Sequence, residues 1–343
     1  MRRCVGVLMV CVMLLSIGST AQATRTWVSG NSGNWSNTAN WSGGALPTTT
    51  ETAQISNGTV ALDSSQQVGQ ILMGYASTDT TVLNITNGSN LTASKGSSEL
   101  FTLVKAGTST GASTTVNQSA GTVSVYYTGY NGTGELRLVS AGTTTGTAIY
   151  NLTGGTLDTE VLSKGNATNS NAQFNATGGT LVIRNMIYRF GLNSAGGGFN
   201  QGGATLEIGA INTVKAINVG NATNSMDYTV GTGTLDIDIA SISSYDTVLQ
   251  YGTLANTAGA TLKIDLLGTY VPTAGSTFDV WTFNDKTKAG SGAFGVLPAG
   301  WSAAWVDTSA DGSLDTLRLT YTPEPATITL LGLGLLAIRR NKK

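Results

Sequence analysis

Gly154-Gly155-Thr156-Leu157 and Gly178-Gly179-Thr180-Leu181 are two copies of one phrase. It returns with small changes as Gly202-Gly203-Ala204-Thr205-Leu206, Gly231-Thr232-Gly233-Thr234-Leu235 and Gly259-Ala260-Thr261-Leu262. Asn87-Gly88-Ser89-Asn90-Leu91 and Ala120-Gly121-Thr122-Val123 are looser relatives. A second phrase alternates with it. Gly165-Asn166-Ala167-Thr168-Asn169-Ser170 recurs almost verbatim as Gly220-Asn221-Ala222-Thr223-Asn224-Ser225, and Gly74–Thr78, Gly107–Gly111 and Gly142–Gly146 resemble it. One full unit takes about 23–35 residues, a period that marks a repeat architecture.

Short runs of alternating polarity lie between these phrases. Thr81–Thr86, Thr122–Tyr126, Glu135–Val139 and Leu235–Ile239 each place an apolar side chain at every second position. A period of two is that of a strand with one face buried and one wet. Each unit therefore reads as strand, Gly/Asn turn, strand, Gly turn. A unit this small cannot cover its own apolar face, but stacking units in register gives each strand neighbours at about 4.8 Å and builds a continuous core. The expected fold is all-β: a β-solenoid, as a right-handed parallel β-helix, over residues 61–265. The same punctuation also allows antiparallel hairpins or a sandwich. No amphipathic helix of useful length is expected outside the termini.

Composition agrees with that reading. Of 343 residues only 11% are charged, against roughly 25% in an average globular protein. Glycine (45 residues), Thr, Ser and Asn take their place, as tight turns and strands require. Hydrophobic residues at 40% suffice for a core and argue against disorder. The two cysteines, Cys4 and Cys11, both lie near the start, and there is no histidine. Disulfides, thiolate nucleophiles, the usual zinc sites and His-based acid/base chemistry are thereby excluded from the body of the chain. No cofactor, metal site or catalytic residue is expected. Formal net charge is −1, but six of the 18 basic and one of the 19 acidic residues lie in the terminal segments. The remaining 12 basic and 18 acidic residues give about −6, which argues against nucleic acid as a partner.

Both ends carry targeting signals. Residues 1–23 read as a secretory signal peptide: Arg2 and Arg3, the apolar run Val5–Ile17, then Ala21-Gln22-Ala23 as the cleavage pattern, with Thr24 as the new first residue. The apolar run is shorter than the ~20 residues that span a bilayer. Residues 323–343 begin with Pro323-Glu324-Pro325. An apolar run from Thr327 to Ile338 follows, and the chain stops at Arg339-Arg340-Asn341-Lys342-Lys343. Spacer, short membrane helix and basic anchor in that order describe a segment held transiently in the inner membrane, basic end inward.

This terminal arrangement resembles the PEP-CTERM sorting signal. The resemblance implies cutting near Pro323–Pro325 by an exosortase-type enzyme, after signal peptidase has acted at the other end. It also implies a Gram-negative cell that makes an extracellular polysaccharide matrix. The Gly-Gly-Thr-Leu copies over roughly 80–265 resemble the autotransporter-associated β-strand repeat, a surface β-helix element.

The segments beside the repeat differ from it. Residues 24–60 hold Trp27, Trp35 and Trp41, half of the 6 tryptophans. They are expected to cap the open end of the solenoid, since an uncapped edge invites aggregation; the alternative is a sugar-stacking platform. Residues 266–322, with Phe278–Phe283, Leu297–Trp301 and Leu314–Leu319, are expected to close the far end with irregular strands.

Candidate chemistry is sparse. Asp236 and Asp238 share a strand face and are the first suspects for a polysaccharide-degrading site, although two solvated carboxylates are the expected reading. Lys215 and Lys263 are near in sequence, with nothing to group them. Asp307, Asp311 and Asp315 around Gly312 suggest a calcium loop, but the spacing departs from that of an EF-hand, and a plain turn is expected. Arg184 and Arg189 with Tyr188, or Tyr126 with Tyr127 and Tyr130, are candidates to line a sugar groove. Asn-x-Ser/Thr sequons occur at Asn84, Asn131, Asn151, Asn166, Asn175 and Asn221. The expectation is thus a secreted, non-enzymatic structural or adhesive protein of the cell surface or extracellular matrix, with polysaccharide as a partner. The alternative is a secreted polysaccharide-binding or polysaccharide-degrading β-helix.

Overall fold

The computed structural model describes residues 23–323 except 29, 77, 95–98, 106–110, 127–133, 141–144, 166–170, 191–197, 223–225, 227, 230, 253, 256–258 and 286–291. Among the described residues the chain is nearly all strand. The helical pieces there are two short 3-10 turns, Thr38–Asn40 and Ser42–Gly44. The expected C-terminal hydrophobic helix lies outside the described residues.

The strands form three parallel ladders, and the chain visits the three in turn. The first ladder begins Thr24–Thr26, Thr52–Ile55, Gln70–Met73, Glu99–Val104 and Glu135–Val139. The second runs Ser32–Asn34, Gly58–Ala61, Thr80–Ile85 and Ser113–Gln118. The third runs Gln66–Val68, Leu91–Ala93 and Thr122–Val125. Two long strands, Thr147–Ser163 and Asn171–Tyr188, then contribute to all three. Thereafter the chain returns to short strands, including Gly198–Gln201, Thr205–Ile208, Ala216–Val219, Thr234–Ser241, Thr247–Gln250 and Thr261–Leu266. Each circuit stacks on the one before it, an arrangement compatible with a β-helix.

Register explains the repeated phrase. Thr122, Thr156, Thr180, Thr205, Thr234 and Thr261 stand directly opposite one another, and so do Val123, Leu157, Leu181, Leu206, Leu235 and Leu262. The threonines form an outward column. The apolar column is buried in the core, where each leucine contributes about 1.5–3 kcal/mol by leaving water. The glycines make the corner. Gly179 has φ +77°, and a Cβ there would stand 2.5 Å from Gly155 O on the preceding circuit. Only glycine accepts that conformation and that approach.

Inside the coil the rings of Tyr150, Phe174, Phe199, Tyr228 and Trp281 stack in file at 5.3–5.5 Å. Such stacks add to simple area burial. The two phenols need partners because an unpaired buried hydroxyl is costly. Tyr150 donates to Gln118 Oε1 at 2.6 Å, and Tyr228 donates to Gln201 Oε1. Each glutamine in turn donates to two backbone carbonyls, Gly121 and Thr156 for Gln118, Ala204 and Thr234 for Gln201.

The ends differ in construction. At the start, Trp27, Trp35 and Trp41 are buried together. The Trp27 and Trp41 rings meet edge-on at 5.1 Å, and Trp41 donates from Nε1 to Trp35 O at 2.8 Å. At the far end parallel pairing continues beyond residue 266, because Thr277–Phe283 lies parallel to Thr247–Gln250. The sheet turns antiparallel with Thr316–Tyr321 and Trp301–Val306.

Candidate functional site

The outer side of the third ladder carries a close set of ionisable groups. Asp158, Val182, Glu207, Asp236 and Lys263 occupy one column, each opposite the next. Asp238 and Asp265 pair in the neighbouring column. Strand alternation points all of these away from the leucine core, yet Glu207, Asp236 and Asp238 are only 5%, 4% and 1% exposed. The reading of Asp236 and Asp238 as solvated carboxylates is therefore corrected. The chain around them supplies the cover. Asp246, at the end of the hairpin formed by Thr234–Ser241 and Ser244–Tyr245, is fully buried. It accepts from the Asp238 N–H at 2.8 Å and the Lys215 N–H at 2.7 Å.

Lys263 is grouped with the acids after all. Its Nζ donates to Asp236 Oδ2 at 2.7 Å and to Asp265 Oδ2 at 2.6 Å. These two bonds raise its pKa. Burial pushes Glu207 up to about 8, helped by its hydrogen bond with Asp236 and by the charges on Asp236 and Asp238, and opposed by Lys263. Burial also pushes Asp246 up to about 7 against its two backbone donors. Asp238 is raised by burial and by the charges of Asp236 and Asp265, with the Thr213 backbone opposing. Asp236 Oδ1 and Asp238 Oδ2 are buried oxygens that no N–H or hydroxyl reaches. The sequence reading found Asp236 and Asp238 but missed Glu207. Its signal was present: an acid follows Thr-Leu in three copies, at Asp158, Glu207 and Asp236.

This arrangement can hold a proton between carboxyl groups at neutral pH. The three carboxyl groups of Glu207, Asp236 and Asp238 lie almost wholly out of solvent. No group of three or more acidic, His or Cys side chains among the described residues is disposed to hold a metal ion.

The other candidates are each tied into the structure. Arg184 grips Asp158 with two bonds, 2.6 and 2.7 Å, and lies over the Tyr126 ring at 5.4 Å. Arg189 lies over the Tyr188 ring at 4.6 Å, and the Tyr188 hydroxyl reaches Glu135 at 3.4 Å. Tyr127 and Tyr130 lie outside the described residues. Asp307 spends its carboxylate on the N–H groups of Ala310 and Gly312, at 2.6 and 2.8 Å. Asp315 accepts from the Thr308 and Thr316 hydroxyls at 2.6 and 2.7 Å. This is a turn folded on itself. The three N-terminal indoles have no open face for a sugar. The sequon residues Asn84, Asn151 and Asn175 join Asn117 in an amide ladder, each donating to or accepting from its neighbour at 3.0–3.1 Å.

Among the terminal signals, Ala23 and Thr24 are described. Thr24 opens the first strand, and Ala23 O accepts from the Thr52 N–H at 2.8 Å. Pro323 ends the described chain, beside Gly300. Ala21, Glu324, Pro325, Arg339, Arg340, Lys342 and Lys343 lie outside the described residues, and their sequence decides their role. The family description of a PEP-CTERM protein-sorting motif matches residues 322–343. The chain ends in a PEP-CTERM sorting motif. The PEP-CTERM motif implies export and sorting to the cell envelope or surface, with processing by an exosortase-type enzyme. No curated protein matches the chain.

Proposed function

We propose that this PEP-CTERM chain is a non-enzymatic structural or adhesive protein of the cell surface or extracellular matrix. Its body, residues 61–265, is read as a right-handed parallel β-helix, the hand favoured in nearly all parallel crossovers. Residues 24–60 and 266–322 act as its caps. Signal peptidase removes residues 1–23, and an exosortase-type enzyme releases the chain near Pro323–Pro325. Until then the apolar run Thr327–Ile338, too short for a stable span of ~20 residues, and the basic residues Arg339, Arg340, Lys342 and Lys343 hold it at the inner membrane. The coil then serves as a rigid spacer that faces the extracellular polysaccharide.

The observation that carries the reading is the union of a sorting motif with a body whose polar groups bind one another. Arg184, Glu135, Gln118, Gln201 and the asparagine ladder are all engaged within or between circuits. Deleting residues 323–343 tests delivery. The truncated chain is expected in the periplasm, and its appearance at the surface in full amount would refute sorting through this signal.

A polysaccharide-degrading role has one favourable observation, the proton-holding Glu207 beside Asp236. It predicts release of oligosaccharides from matrix polysaccharide by the purified chain, and loss of that release in E207Q. The non-enzymatic reading predicts no release from either.

A further inference from the structure

We propose that Glu207 and Asp236 share one proton across adjacent circuits, and that this carboxyl–carboxylate pair, completed by Lys263, is an alkali-sensitive latch on the C-terminal part of the coil. The geometry points to it in three ways. Glu207 stands directly opposite Asp236, and Asp236 directly opposite Lys263. Asp236 Oδ2 takes the ammonium, while its Oδ1 is buried with no N–H or hydroxyl to receive. A protonated Glu207 supplies the missing donor. Its neighbour on the other side is Val182, which offers neither charge nor hydrogen bond.

Charged groups approach this point from several elements, and Asp158, held by Arg184, lies two strands away on the far side of Val182. Asp236 and Asp238 come from the next strand, Lys263 and Asp265 from the one beyond, and Asp246 from the hairpin; Lys215 meets Asp246 through its backbone N–H. Carboxylates outnumber the one adjacent ammonium, so a second negative charge at Glu207 would face Asp236 with no counter-ion of its own. Two carboxylates that share a site cannot both ionise freely.

The sign of the pH effect follows from linkage. The group titrates near 4.5 when the chain is unfolded and near 8 when folded. Below 4.5 both states hold the proton, and the stabilisation is complete. Between about 4.5 and 8 the unfolded chain loses the proton while the folded chain keeps it. Each pH unit there lowers the folding constant by up to tenfold. Above about 8 the folded coil also loses the proton, and the donor to Asp236 disappears. Asp246 and Asp238, also raised, act with the same sign, so an isolating variant is needed.

The test compares the whole exported chain with E207Q from pH 5 to 9.5, by urea midpoint and by hydrogen exchange over residues 205–208 and 234–239. A glutamine amide donates to Asp236 at every pH. E207Q is expected to lose the Glu207 share of the pH dependence in these segments, leaving that of Asp246 and Asp238, and to exchange more slowly than wild type at pH 9. Infrared spectra at pH 7 are expected to show a stronger protonated-carboxyl band in the wild type than in E207Q, where Asp246 still contributes. Superimposable pH profiles, or a carboxyl band of equal strength in both proteins, would overturn the latch. The outcome is independent of sorting and of any enzymatic role.

Discussion

Adding one methyl group at Gly179 should disturb two circuits at once. The residue sits at φ +77°, and its new Cβ would lie 2.5 Å from Gly155 O and 2.8 Å from Gly154 C. Both are backbone atoms of the preceding circuit and cannot swing aside as a side chain can. To restore a 3.4 Å contact the two circuits must part by close to an ångström, which lengthens the ladder hydrogen bonds on either side. The left-handed conformation alone costs an alanine about 1–2 kcal/mol, and overpacking of this kind adds about 1–3 kcal/mol. Gly88 separates the two terms. It has φ +81°, but a Cβ there meets nothing within 4 Å. Gly88→Ala should therefore cost about 1–2 kcal/mol and Gly179→Ala about 2–5 kcal/mol. Urea denaturation of the exported chain, followed by circular dichroism, measures both against wild type. Equal midpoints for the two variants would refute the claim that inter-circuit contact, and not turn conformation, demands glycine in the repeated phrase.

Two further substitutions probe side-chain order across the coil. Tyr228→Phe removes the hydroxyl that Gln201 Oε1 receives, while the glutamine stays fixed by its bonds to Ala204 O and Thr234 O. The stranded acceptor should cost about 1–3 kcal/mol in the urea midpoint, and no loss would mean the glutamine re-pairs. Asn117→Ala breaks the amide ladder on both sides, toward Asn84 and Asn151. It should cost about 1–2 kcal/mol, with faster hydrogen exchange confined to the second ladder.

Much of this architecture was legible because the sequence writes it one position at a time. Alternating Thr81–Thr86 and Glu135–Val139 became strands, and Thr-Leu after glycine became an outward threonine beside a buried leucine. Those features depend on neighbours in sequence and on a repeat that multiplies the signal. The environment of Asp236 and Asp238 was not legible. Alternation correctly put them on the outer side, but burial there comes from residues near Lys215 and Asp246, covering material that belongs to no repeat. The same is true of the grouping of Lys263 with Asp236, which depends on a register 27 residues apart. The glutamines 118 and 201 look like surface polar residues in sequence. Their role emerges only when a tyrosine from the next circuit arrives beside them. Parallel pairing past residue 266 was hidden for a related reason: Thr277–Phe283 pairs with Thr247–Gln250 without the glycine phrase that marks earlier circuits.

Export and release of the coil through its PEP-CTERM motif can be read from the intact mass of the protein recovered from the cell-surface fraction. The expected chain starts at Thr24 and ends near Pro323. A mass that retains Arg339, Arg340, Lys342 and Lys343 would contradict it, and would make the C-terminal segment a permanent anchor.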